Sequence, residues 1–83
     1  MQPLQKAIAK LIAYCEPGQP KVGSKVFFSC ASAKIPANPI WERSARTIAI
    51  SWAWIDKNNQ LTRKGFKRLE TFNKELRPPP PTS

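Results

Sequence analysis

Residues 52–70 constrain the fold more than any other part of this chain. Trp52 and Trp54 alternate with smaller side chains, a pattern typical of a strand with one buried face. The polar residues 56–59 have the composition of a turn, and residues 60–61 begin a returning strand. This stretch therefore predicts a β-hairpin that leads directly into the next element.

That next element is predicted to be a basic amphipathic helix, which the hydroxyl of Thr62 can cap. Its apolar side chains recur at helical spacing and share one face. They are Phe66, Leu69, Phe72 and Leu76. The opposite face contains the cations Arg63, Lys64, Lys67, Arg68 and Lys74. We expect this helix to pack on the core with one side and to present positive charge with the other.

The N-terminal half contains one clear helix and one ambiguous segment. Pro3 suits the first turn of a helix, where its missing N–H costs nothing, and the breakers at residues 17–18 end the pattern. The apolar stripe of this helix consists of Leu4, Ile8, Leu11, Ile12 and Cys15. Residues 24–33 are either a helix capped by Ser24 or a strand around residues 26–28. We favour the helix.

Asn38 and Pro39 mark the start of a further helix, since Asn is a preferred N-cap and Pro suits the first helical position. Trp41, Ala45 and Ile48 cluster on the face that we predict to be core. The other face contains Arg43, Arg46, Thr47 and Ile50. Arginine forks onto guanine and methyl groups contact thymine, so this face suits the major groove of DNA. An ordinary solvated face is the alternative.

Size and composition predict one small domain. The chain has 83 residues, of which 41% are hydrophobic, and its three tryptophans are enough for a real core. We expect a single domain over residues 1–77 and an extended Pro-rich tail over residues 78–83. No apolar run approaches the ~20 residues of a membrane span, and nothing resembles a signal peptide, so we expect a cytoplasmic protein with no membrane partner.

The residues available for chemistry argue against an enzyme. The chain has no histidine, its five acidic residues are scattered, and no glycine-rich phosphate loop is present. Cys15 and Cys30 either form a disulfide or remain reduced in the core, and we favour reduced thiols. Two thiols without an imidazole are too few for a zinc site. We therefore expect no catalytic residues, no cofactor and no metal.

Charge indicates a polyanionic partner. Fourteen Lys and Arg against five Asp and Glu give a net charge of +9, which favours nucleic acid first and then acidic protein surfaces or anionic lipid. Arg63 and Lys64 fall in the first turn of the last helix, where the helix dipole disfavours cations. A phosphate bound at this helix end would offset the unfavourable placement of the two cations. The alternative is that both side chains simply extend into water. Lys57, Asn58 and Asn59, at the hairpin tip, can reach the DNA backbone or the minor groove.

The order of these elements resembles a winged helix-turn-helix, a mostly α fold with a small β-hairpin. The motif Leu61-Thr62-x-x-Gly65-x-x-x-Leu69-Glu70 is similar to the wing exit of winged-helix repressors of the multiple-antibiotic-resistance and phenolic-acid-repressor kinds. The similarity covers roughly residues 39–76. It implies that the helix from Pro39 reads the major groove and that the hairpin is the wing.

By position, the resemblance implies base contacts by Arg43, Arg46 and Thr47, with Lys57 on the wing. The chain lacks the long flanking helices with which those repressors dimerise, and the turn before its recognition helix is not of the usual compact form. It would bind as a monomer, or as a homodimer paired through its first and last helices.

We expect a small double-stranded DNA-binding protein, a transcription regulator or a phage- or plasmid-type accessory factor. The candidate nucleic-acid contacts are Arg43, Arg46, Thr47, Lys57, Asn58, Arg63, Lys64, Lys67 and Arg68. The second hypothesis is a protein-interaction module that binds an acidic surface of a nucleic-acid enzyme and inhibits or recruits it. The third is RNA or ribosome association.

Overall fold

In the described part of the chain, three α-helices and a two-stranded antiparallel sheet make up an α+β fold. The computed structural model describes residues 1–14 and 21–76. The helices are α1 (Pro3–Leu11), α2 (Pro39–Ser51) and α3 (Arg63–Leu76), and the strands are β1 (Ile12–Tyr14) and β2 (Val26–Phe28). A single-turn 3-10 helix, η1, spans Cys30–Ala33. The predicted tail over residues 78–83 lies outside the described residues.

Helix α1 begins as predicted, with Pro3 in its first turn, but it ends earlier than its apolar stripe indicated. Ile12 leaves the helix and forms β1, with Ile12 paired to Phe28 and Tyr14 paired to Val26. The extension of the helix through Ile12 was therefore wrong, and Cys15 lies outside the described residues. The β-branched Ile12 gains a strand partner that an additional helical turn would not supply.

Residues 24–33 form β2 and η1, so the predicted helix in this segment is wrong. The Oγ of Ser24 accepts a hydrogen bond from the Lys21 N–H at 3.0 Å instead of capping a helix. Strand β2 is hydrogen-bonded on both sides, to β1 and, through the Val26 N–H, to the Asn59 carbonyl at 2.9 Å. These pairings favour the strand over the helix, because the run is too short for its own periodicity to decide.

Helix α2 begins as predicted. The side chain of Asn38 accepts a hydrogen bond from the Trp41 N–H at 3.0 Å, and Pro39 occupies the first turn. Ala45 and Ala49 are fully buried, which brings the helix backbone close to the core. Trp41 and Ile48 pack against that core as half-buried side chains.

The end of α2 replaces the first strand of the predicted hairpin. The Ala53 N–H donates to the Ile50 carbonyl and the Trp54 N–H donates to the Ala49 carbonyl, both at 2.9 Å, which is the bonding pattern of a Schellman motif. Ala53 has a φ of 61°, the left-handed conformation that this motif requires. Residues 52–54 are therefore a helix terminus, and the prediction of a strand there is wrong.

A tight turn remains where the hairpin was expected. Ile55 pairs with Leu61, and Lys25 of the segment leading into β2 pairs with Gln60, each as an isolated antiparallel bridge. The Asp56 carboxylate accepts from the Asn58 N–H at 2.8 Å and from the Gln60 N–H at 3.0 Å. Residues 56–59 thus form the predicted polar turn, organised by one acidic side chain.

Helix α3 begins at the predicted cap. The Thr62 hydroxyl accepts a hydrogen bond from the Gly65 N–H at 3.1 Å. Leu69 and Phe72 are each 6% exposed and pack into the core, as their spacing predicted. The largest fully buried side chains of the core are those of Ile8, Leu11, Val26, Cys30, Trp54, Ile55 and Leu61. Cys30 is a buried free thiol.

No helix in residues 1–14 and 21–76 is long and apolar enough to cross a membrane.

Candidate nucleic-acid interface

The exposed face of α2 presents two of its three predicted base-reading side chains to solvent. Arg43 and Thr47 are exposed, and Arg46 is half-buried at the border with the core. Successive helical residues turn by about 100°, so Arg43 and Thr47 lie within about 40° of each other. The Thr47 hydroxyl donates to the Arg43 carbonyl at 3.2 Å, so it already has a partner on its own helix.

A side-chain hydrogen bond joins α2 to the turn at residues 56–59. The Arg46 Nε donates to the Asn59 Oδ1 at 2.6 Å. Asn59 has a φ of 61°, a left-handed conformation that Asn tolerates better than most residues. Its backbone N–H donates to the Asp56 carbonyl at 3.0 Å, so the partner of Arg46 is itself held in place. The turn is therefore tied to the helix.

The tip of this turn consists of Lys57 and Asn58, both exposed and within two residues of Asn59. Because Asn59 is bonded to Arg46, the tip lies beside the face of α2 that contains the two arginines. We call this group the α2–turn surface: Arg43, Arg46, Thr47, Lys57 and Asn58. The structure thus brings together predicted contact residues that lie up to 15 positions apart in the chain, from Arg43 to Asn58.

A groove of about 440 Å³ opens beside the α2–turn surface, between α2 and β2. Its walls are formed by the strand Val26–Phe28, together with Glu42, Arg43, Arg46 and Asn59. Phe27 is 46% exposed, whereas its neighbour Val26 is 2% exposed. Sequence reasoning missed Phe27, because the alternation of buried and exposed side chains has meaning only once the segment is known to be a strand.

Glu42 is a second member of the groove that sequence reasoning did not assign. Its Oε2 accepts a hydrogen bond from the Cys30 N–H at 2.7 Å, which joins α2 to the start of η1. Glu42 is half-buried and lines the groove together with Arg43 and Arg46. The groove therefore combines one acid, two guanidinium groups and an exposed aromatic ring.

The predicted contacts on α3 form a separate surface. Arg63, Lys64, Lys67 and Arg68 are all exposed and span an arc of about 140° at 100° per residue. We call these four residues the α3 face, and none of them lines the groove of α2 and β2. The Thr62 cap already uses the Gly65 N–H, so a phosphate at this helix end would meet the side chains of Arg63 and Lys64 rather than that amide.

A second groove, of about 360 Å³, lies between the α1–β1 junction and α3. Tyr14, Leu69 and Phe72 are among its lining residues. Burial raises the pKa of the Tyr14 hydroxyl above its usual value. Among the described residues, no group of three or more His, Cys, Asp or Glu side chains is placed to hold a metal ion.

Apolar exposure is concentrated at a few isolated side chains. Trp54 is 1% exposed, and Trp41 and Trp52 are half-buried. Ile40, in the first turn of α2, is 76% exposed, which is the highest value among the exposed large hydrophobic residues of the described chain. Because Ile40 lies three residues before Arg43, it lies close to one end of the α2–turn surface.

Comparison of the chain with protein-family models, with curated proteins and with solved structures gives no match.

Proposed function

We propose that this protein binds duplex DNA through the α2–turn surface, with α2 lying in the major groove and the turn at residues 56–59 serving as a short wing. The observation that supports this most strongly is the hydrogen bond from the Arg46 Nε to the Asn59 Oδ1. It holds the turn against α2, and in this proposal a duplex that contacts Arg43 also contacts Lys57. Arginine in a major groove can donate two hydrogen bonds to guanine, and a lysine on a wing can neutralise a phosphate.

The overall charge supports the same proposal. A net charge of +9 gives a long-range attraction to the phosphate backbone, and the α3 face adds four exposed cations outside the α2–turn surface. In this proposal the α3 face contributes sequence-independent affinity, while Arg43 and Thr47 contact base edges. This arrangement, with phosphate contacts for affinity and base contacts for sequence preference, suits a small transcription regulator or a phage- or plasmid-type accessory factor.

In this proposal the fold is a smaller version of a winged helix-turn-helix. Between α1 and α2 the described residues contain β1, β2 and the single turn η1, and no second α-helix. Helix α2 has 13 residues, hence a length of about 20 Å, and it is held by a capped start and by Ala45 and Ala49 packed into the core. We infer that this packing replaces the support that a preceding helix would give.

A protein-interaction module is the second candidate, and the exposure of Ile40 favours it. An aliphatic side chain that is 76% exposed, beside Arg43, matches the mixture of apolar and cationic groups found in protein interfaces. The partner would be an acidic surface, because the net charge of the chain is +9.

Fluorescence anisotropy with labelled duplexes over a salt series tests the proposal. We expect log K to fall linearly with log salt, with a slope of about 0.9 for each phosphate contact. Arg43→Ala should reduce the preference between duplex sequences, since a bidentate arginine–guanine contact contributes about 1–3 kcal/mol of discrimination. Lys57→Ala should weaken all duplexes alike and lower the salt slope by about one contact.

Lys10→Ala is the matched control. Lys10 is exposed on α1 and lines the other groove, so its removal changes the net charge by one without altering the α2–turn surface. It should leave sequence preference unchanged. If Lys10→Ala and Arg43→Ala have equal effects, α2 does not read bases. If the protein binds no duplex at low salt, the DNA proposal is wrong and the acidic protein partner becomes the working hypothesis.

A further inference from the structure

We propose that the groove between α2 and β2 holds one unpaired base of a DNA strand, stacked on Phe27. This inference deepens the proposed function, on which it rests, because the groove borders the α2–turn surface and shares Arg43 and Arg46 with it. The DNA that this protein prefers would then be a duplex with an unpaired or extruded base, rather than a continuous duplex.

The aromatic ring is the first reason. Phe27 is 46% exposed on a strand where Val26 is 2% exposed, so a large apolar side chain remains in contact with water. Its partner across the sheet is Ala13, whose side chain is too small to cover a ring. Base–aromatic stacking accepts any base and is the usual way in which proteins hold unpaired nucleotides.

The groove has a suitable size and a suitable distribution of charge. Its volume of about 440 Å³ lies within the ~300–1,000 Å³ of pockets that take small ligands. Arg43 is exposed at the rim, where the groove meets the α2–turn surface, so its positive charge attracts the phosphates next to the base while its guanidinium contacts the duplex. Arg46 is fixed by Asn59, so this side of the groove needs no rearrangement before binding.

Glu42 favours one orientation of a nucleotide in the groove. Its Oε2 is occupied by the Cys30 N–H, and the half-buried carboxylate repels phosphate from this part of the wall. Its other oxygen can accept a hydrogen bond from an amino group of a base. The acid inside and the arginine at the rim therefore favour a nucleotide that enters base first, with its phosphates outside.

The test compares four labelled DNA probes in one anisotropy assay. They are a continuous duplex, the same duplex with one bulged base, the same duplex with an abasic bulge, and a single strand. A base that is already unpaired avoids the energy that extrusion from a duplex requires. We expect the bulged-base duplex to bind about 5- to 160-fold more tightly than the abasic-bulge duplex, which is the range of one stacked base.

Phe27→Leu should remove this difference, because leucine retains apolar character but lacks an aromatic face. Val22→Ala is the control, since Val22 is an exposed hydrophobic residue that does not line the groove. It should leave the difference intact. Because both side chains are exposed, circular dichroism should show both variants folded, and a fluorescent base analogue at the bulge gives a second measurement on the wild-type protein. We expect its emission to be quenched by stacking.

The outcomes separate this inference from the proposed function. Equal affinity for all duplexes, unchanged by Phe27→Leu, overturns the stacking site and leaves duplex binding standing. If only the bulged and single-stranded probes bind, and Phe27→Leu abolishes that binding, the stacking site is supported and the proposal of duplex binding is refuted. If none of the four probes binds, both are wrong.

Discussion

Replacing Gly65 with alanine should destabilise the protein, although helix propensity predicts the opposite. Gly65 lies in the first turn of α3, where it approaches the backbone of Trp54. A Cβ built at this position would lie 2.1 Å from the Trp54 carbonyl oxygen, 2.8 Å from its carbonyl carbon and 2.9 Å from its Cα. Ordinary van der Waals contact begins near 3.4 Å, so the Gly65→Ala variant cannot keep both backbones in place.

Trp54 has little freedom to move away. Its N–H donates to the Ala49 carbonyl at 2.9 Å, and its carbonyl accepts from the Thr62 N–H and the Thr62 hydroxyl, each at 3.0 Å. Its side chain is 1% exposed. Overpacking of this kind costs about 1–3 kcal/mol, and each hydrogen bond weakened by the shift adds about 0.5–1.5 kcal/mol. The higher helix propensity of alanine would stabilise the variant by at most about 1 kcal/mol, so we expect its free energy of unfolding to be lower by about 2–4 kcal/mol.

Urea denaturation followed by tryptophan fluorescence measures this loss, and thermal unfolding should show a Tm lower by about 10–30 °C for a domain of this size. Ser44→Ala is the control, because Ser44 is exposed on α2 and its replacement should change stability by no more than about 0.5 kcal/mol. A Gly65→Ala variant as stable as the wild type, or more stable, would refute the close approach of α3 to Trp54.

Three further predictions concern other positions. Ala53→Gly should stabilise the protein by up to about 1 kcal/mol, because Ala53 has a φ of 61° and glycine adopts that conformation without strain. A urea midpoint that is unchanged or lower in this variant would contradict the left-handed helix terminus at Ala53. Thr62→Ala should cost about 1–2 kcal/mol through loss of the cap on Gly65, while Thr62→Ser should retain most of the stability; equal losses would argue against the cap. Burial raises the pKa of Tyr14, so its folded pKa exceeds the unfolded value near 10 and the native state holds this proton more tightly. The contribution of Tyr14 to the free energy of unfolding is complete below pH ~10, and it is lost as the pH rises through the folded pKa. Tyrosinate absorbance, in a chain with one tyrosine, should therefore titrate at higher pH in the folded protein than in urea, and identical curves would show that Tyr14 is not buried.

Local signals in the sequence determined where the helices begin. The side chain of Asn38 bonds the Trp41 N–H, and the hydroxyl of Thr62 bonds the Gly65 N–H, each within three residues. The turn held by the Asp56 carboxylate is equally local. Caps and tight turns can be predicted because their donor, acceptor and backbone conformation all lie in a few consecutive residues. The same holds for the exposure of Arg43, which follows from helical periodicity.

Only the tertiary structure decided between helix and strand in the short apolar segments. Ile12 continues the stripe of α1 by spacing, and residues 24–33 fit a helix, yet both segments enter a sheet because each supplies hydrogen-bond partners to the other. The exposure of Phe27 follows from that pairing. The bond from Arg46 to Asn59 joins residues 13 positions apart, and the contact of Gly65 with Trp54 depends on how two elements cross. Such contacts depend on the packing of distant segments, and no local pattern in the chain specifies that packing.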